Sequence, residues 1–92
     1  MHQLDFEWDQ WNIQKNEIKH GISALEAETV FYDENIKIYE DLKHSLNEKR
    51  YILYGRSAYH KILMIAFTLR NNRVRIISAR IASKKERSVY EE

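Results

Sequence analysis

The residues best suited to chemistry in this chain are cations near the ends of its apolar runs. Arg56 follows Gly55 in RYILYGRS, and Arg80 lies late in RVRIISARIA. A guanidinium keeps its proton, so each must meet an anion, either a carboxylate of the protein or a ligand. Two arginines at strand ends can grip one phosphate through paired N–H donors. The competing expectation is an internal ion pair with Glu48 or Glu86. Proton transfer near neutrality falls to the histidines. His20, between Lys19 and Gly21, suits a helix C-terminus, where the dipole stabilises an imidazolium. His44 shares a polar stretch with Ser45 and Glu48, His60 sits in a turn, and His2 lies near the N-terminus.

Several other chemistries lack their residues. The chain has no cysteine and 2 glycines, so it offers neither a thiolate nucleophile nor a Gly-rich phosphate loop. No two histidines stand at i, i+4, and no G-x-S-x-G elbow is present. Neither a metal nor a cofactor is expected. Arg, Lys, His, Glu and Tyr do suit cleavage of RNA by attack of its own 2′-hydroxyl on the adjacent phosphate. That step needs a base for the hydroxyl, a cation for the phosphorane and an acid for the leaving 5′-oxygen. The nucleophile belongs to the substrate, so much of the entropic cost of the attack is already met.

The elements that must carry these groups follow from periodicity. Residues 2–8 alternate His2, Leu4, Phe6 and Trp8 with polar neighbours, as in a half-buried strand. Asp9 is a candidate N-cap, with Trp8 positioned to staple onto Ile13. The helix it opens ends at Gly21. Ser23-Ala24-Leu25-Glu26 reads as a capping box for a second helix through Phe31. A short strand at 36–39 and a polar loop at 41–49 lead to three stronger strands, 50–57, 61–69 and 73–82. Asn71 and Asn72 tolerate positive φ and suit a tight hairpin. Ser83-Lys84-Lys85-Glu86 is a second capping box, opening a helix to at least Tyr90. Strict alternation on the last strand groups Arg73, Arg75, Ile77 and Ala79 on one face. Val74, Ile76, Ser78 and Arg80 then face the helices, with Arg80 near the rim. The order β-α-α-β-β-β-β-α predicts an α+β single domain over residues 1–92: an antiparallel meander with helices packed on one face and the other face left open.

Charge is distributed unevenly along the chain. Residues 1–49 hold 5 Lys or Arg against 11 Asp or Glu, a net −6, whereas residues 50–92 hold 10 against 3, a net +7. That polarity points to a basic face and a polyanionic partner, or to pairing between the halves. No apolar run is long enough to span a bilayer, and no signal peptide is visible, so a cytoplasmic location without membrane association is expected.

The segments FEWD, NEIKHGIS, EAETVFYD, HS with Glu48 and RYILYGRS, and RIISAR followed by ER and YE, resemble in order and spacing the BrnT family of type II toxins. The likeness implies a RelE-like fold and a small ribonuclease toxin made with a BrnA antitoxin. It further implies a ribbon-helix-helix antitoxin, a two-plus-two complex, and contact with operator DNA through the antitoxin alone. The family pattern falls on Lys19, His20, Gly21, His44, Glu48, Arg50, Gly55, Arg56, Arg75, Arg80, Glu86, Arg87 and Tyr90. Arg56 and Arg80 are expected to stabilise the phosphorane, and His20 or Glu48 to act on the 2′-hydroxyl. Lys19, Arg50, Arg73, Arg75, Lys84, Lys85 and Arg87 are expected to hold the RNA backbone, with Tyr90 either stacking a base or packing its helix. Ala24-Leu25 depart from the family's usual aromatic and acidic pair. From a different class, a non-catalytic RNA- or partner-binding module fits the same charge split.

Overall fold

The computed structural model describes residues 4–92, so His2 and the start of the first alternating segment lie outside the described residues. Strand β1 (Phe6–Trp8) leads into helix α1 (Gln10–His20), and α2 (Ala24–Thr29) continues into a 3₁₀ turn at Val30–Tyr32. Strands β2 (Lys37–Glu40), β3 (Arg50–Arg56), β4 (Ile62–Arg70) and β5 (Arg73–Ile81) follow, and α3 (Lys84–Tyr90) closes the order. The loop before β3 contains a second 3₁₀ turn, Leu42–His44. Strands β2 to β5 form the expected meander, turned at Asn71 and Asn72, whose φ values are 51° and 64°.

Two details lie beyond the sequence reading of this α+β architecture. The first is that β1 joins the sheet beside β5 and parallel to it, Phe6 opposite Val74 and Trp8 opposite Ile76, giving the order β1-β5-β4-β3-β2. Pairing inferred from consecutive strands cannot reveal a neighbour so distant in sequence. The second is the position of α3. It lies over the face that carries Tyr54 and Arg80, where Glu86 binds Arg80 and the Val89 carbonyl accepts from Lys37 Nζ at 3.4 Å. The other face is the core. Leu53, Leu63, Ile65, Phe67, Val74, Ile76 and Ala79 meet Ile22, Ala27 and Val30 from the helical hairpin. Phe31 bridges Phe6 and Phe67 edge-on at ring separations of 5.2 and 5.1 Å.

Close approach explains Gly55. A Cβ there would sit 2.6 Å from Val30 Cγ1 and 3.0 Å from Ile36 Cγ2, so the helix layer rests directly on the backbone of β3. The two predicted capping boxes fold differently. Ser83 and Glu86 make the full reciprocal pair. Ser23 Oγ accepts from the Glu26 N–H, but the Glu26 carboxylate turns inward at 4% exposure and accepts from the Ser57 hydroxyl at 2.8 Å. A buried hydroxyl in reach of a carboxylate is a stronger attraction than an N–H already facing water.

Candidate functional site

The placement of Arg80 turns on one extra residue. Ala66 pairs with Ser78 while its neighbour Phe67 pairs with Ile76, so Ile77 is a β-bulge. Beyond it the alternation inverts. Arg73, Arg75, Ser78 and Arg80 share the face opposite the helical hairpin, while Val74, Ile76, Ala79 and Ile81 face the core side. This corrects the expectation from strict alternation that Arg80 points toward the helices. The register adds Arg50, Ile52, Tyr54 and Arg56 from β3, and Met64, Ala66, Thr68 and Arg70 from β4, to the same face. The result is a sheet face with cations at both ends and a small, largely apolar middle.

At one end Arg80 donates from Nη1 and Nη2 to the two carboxylate oxygens of Glu86 at 2.7 and 2.9 Å. The Glu86 Oε1 atom also accepts from the Ser83 N–H at 2.8 Å, so the cap of α3 and the partner of Arg80 are one group. The internal pair expected as the alternative therefore forms, yet the Arg80 side chain stays 37% exposed. The Arg80 bond, followed by the cap, holds the Glu86 carboxyl below the usual glutamate value. Tyr54 stands beside this pair, its hydroxyl pushed up first by burial and then by the Glu86 charge, against the pull of Arg80.

Arg56 lies two strands across and two residues along from Arg80, about 12 Å between backbones by standard strand spacings. Arg56 is exposed at the rim, its side chain within reach of the Tyr90 hydroxyl, and its backbone N–H donates to Asp33 Oδ2 at 2.8 Å. The same oxygen accepts the Tyr90 hydroxyl at 2.6 Å. Burial alone would raise the Asp33 carboxyl; the Tyr90 bond, the Arg56 and Asn35 N–H groups and the Arg56 charge together hold it low. Tyr90 is 8% exposed, so it packs its helix and offers no open ring for stacking. Arg56 also borders an open groove of about 920 Å³ whose lining includes Leu4, Leu25, Tyr32, Ala58 and His60.

At the other end Arg50, Thr68 and Arg75 line up across β3, β4 and β5, with Arg70 opposite Arg73 one step beyond. Arg75 binds Glu7 at 2.7 Å and lies 3.5 Å from Asp9, while Arg70 holds Glu48 through Nε at 2.6 Å and Nη2 at 3.0 Å. Arg70 sits six residues along β4 from Met64, the neighbour of Arg80, about 20 Å of strand. The fold therefore does not bring Glu48 to Arg80 or Arg56. His20 ends α1 before Gly21, whose φ is +67°, and no hydrogen bond joins it to either arginine among the described residues. His44 Nδ1 lies 2.8 Å from Asp41 Oδ2. Lys19, Lys84, Lys85 and Arg87 are exposed on their helices.

Tyr54, Asp33 and Thr68 escaped the sequence reading. Alternation on β3 was the available signal for Tyr54, which shares a face with Arg50 and Arg56. Nothing local marks Asp33, whose partner Tyr90 is 57 residues away.

A five-stranded sheet with a helical hairpin on one face, and arginines and α3 on the other, defines a small α+β protein. A family model described as ribonuclease toxin, BrnT, of type II toxin–antitoxin system matches residues 8–86. The chain belongs to that family, as its motifs led us to expect, and membership implies RNA as substrate and an antitoxin as partner. The fold is similar to the crystal structure of the Brucella abortus ribonuclease toxin BrnT, with a TM-score of 0.65 at 22% identity over 89% of this chain and 100% of that one. A search of curated proteins returns no match.

Proposed function

We propose that this chain is a metal-independent endoribonuclease that cleaves RNA through 2′-hydroxyl attack and thereby inhibits translation in the cytoplasm. A BrnA-like ribbon-helix-helix antitoxin neutralises it in a two-plus-two complex, which reaches operator DNA through the antitoxin. The observation that carries this reading is Arg80: a guanidinium that stays partly exposed beside α3, in a chain of a ribonuclease family. Arg80 neutralises charge as the phosphate becomes pentavalent, and Arg56 approaches from the rim. Tyr54, beside Arg80, gives a proton to the 5′-oxygen, whereas His20, ending α1 on the hairpin side of the sheet, does not serve as the base at Arg80. Lys19, Lys84, Lys85 and Arg87 extend the contact with backbone phosphates.

A single incubation of RNA with the protein in excess chelator tests this. The expected products carry 2′,3′-cyclic phosphate and 5′-hydroxyl ends, and Arg80→Ala slows their formation about 100- to 1,000-fold, as loss of a transition-state donor does. Products with 3′-hydroxyl and 5′-phosphate ends would contradict attack by the substrate's own hydroxyl. Complete absence of cleavage favours the second reading, a binding module, for which the closed Arg80–Glu86 pair is the supporting observation.

A further inference from the structure

The arginine cluster remote from Arg80 holds anions supplied by the chain itself, Glu7 and Asp9 at Arg75 and Glu48 at Arg70. Glu48 lies in the loop before β3, and both of its oxygens are bound side-on by Arg70 at 2.6 and 3.0 Å. Planar two-point contact of this kind is also how a guanidinium takes a phosphate. The charges of Arg75 and Arg50 act on the same carboxylate. The Arg70 and Glu48 side chains are 46% and 37% exposed, and exposed pairs of this type are weak because water screens them. The carboxylate is therefore readily exchanged. Beneath the arginines, Thr68 is 3% exposed, and its hydroxyl is, among the described residues, the buried side-chain polar atom without a partner. Arg50 and Arg75 flank it directly. An orphan hydroxyl between Arg50 and Arg75, with Arg70 and Arg73 one pair further along, marks a place where a hydrogen-bond partner is missing.

We propose that Glu48 is a placeholder: its carboxylate occupies the seat that Arg50, Arg70, Arg73 and Arg75 offer to a backbone phosphate of RNA, and Arg70 exchanges one anion for the other on binding. This rests on RNA being the substrate and adds a phosphate subsite about 20 Å of strand from Arg80. It also gives Glu48 a role other than that of the base.

Binding of an uncleavable 2′-O-methyl oligonucleotide, titrated at several salt concentrations, separates this subsite from catalysis. Glu48→Gln should bind about three- to tenfold tighter, with a salt slope steeper by roughly 0.7, the share of one further single-strand phosphate. Glu34→Gln removes the same charge from an exposed turn outside the cluster and should leave the slope unchanged. In an Arg70→Gln background the gain from Glu48→Gln should vanish. Inorganic phosphate should compete with the oligonucleotide more strongly on the Glu48→Gln protein than on wild type. Equal behaviour of the two Gln variants, or a gain that persists without Arg70, overturns the proposal. Neither result depends on cleavage, so failure of the nuclease reading shows separately in the chelator experiment.

Discussion

Glu86 serves two masters, the cap of α3 and the charge of Arg80, and substitution can separate them. Glutamine at this position still reaches back to the Ser83 N–H, because a capping box accepts Gln as well as Glu. Glu86→Gln should thus keep α3 and lose mainly the ion pair, costing about 1 kcal/mol or less given the exposure of Arg80. Both Glu86 and Asp33 have carboxyls held below their ordinary values in the fold. Such groups contribute stability that is complete above the ordinary values, near pH 4, and is lost as pH falls through the depressed ones. Thermal melts between pH 5 and pH 3 should show that loss, and Glu86→Gln should reduce it. Tyr90→Phe removes a hydroxyl that donates to a carboxylate, and should cost about 1–2 kcal/mol in urea denaturation.

Among the elements, the hairpin at Asn71-Asn72 and the cap at Ser83 were legible because local chemistry dictates them: positive φ for the first, an orphan N–H for the second. The bulge at Ile77 was not. RVRIISARIA keeps its apolar-polar rhythm closely enough that nothing in it announces an inserted residue, and only pairing with β4 shows that Ser78, not Ile77, lies opposite Ala66. The same limit applied to the Ser23-Glu26 cap, where the competing partner Ser57 arrives from another strand. Gly55 tests the contact between helices and sheet. Gly55→Ala places a methyl 2.6 Å from Val30, beyond what rigid packing absorbs, and should destabilise by about 1–3 kcal/mol. A melting temperature equal to wild type would mean that Val30 yields freely.

Across the whole molecule the charge split has two outcomes. Acidic residues of the first half, Glu7, Asp9 and Glu48, bind arginines of the second half, so part of the +7 is spent internally. The site residues were legible as types but not as groups, because which cation keeps a free face depends on pairings that only the fold creates. A consequence is weak salt dependence. RNA binding by wild type should show a slope of about −2 to −3, the mark of three or four neutralised phosphates. A slope of −6 or steeper in a salt titration would mean that the internal pairs open wholesale.

Asp33 receives Tyr90 from 57 residues further on, and Lys37 reaches carbonyls of Val89 and Glu92 that are 52 and 55 residues away. These bonds need α3, which follows the last strand of the sheet, so they form only after every strand has been synthesised. A released fragment ending at residue 89 would hold every strand of the sheet and still lack the bond that ties α3 to the rim beside Arg56. Amide exchange at residues 30–33 should be faster in such a fragment than in the 92-residue chain, because the last turn of α3 completes the rim.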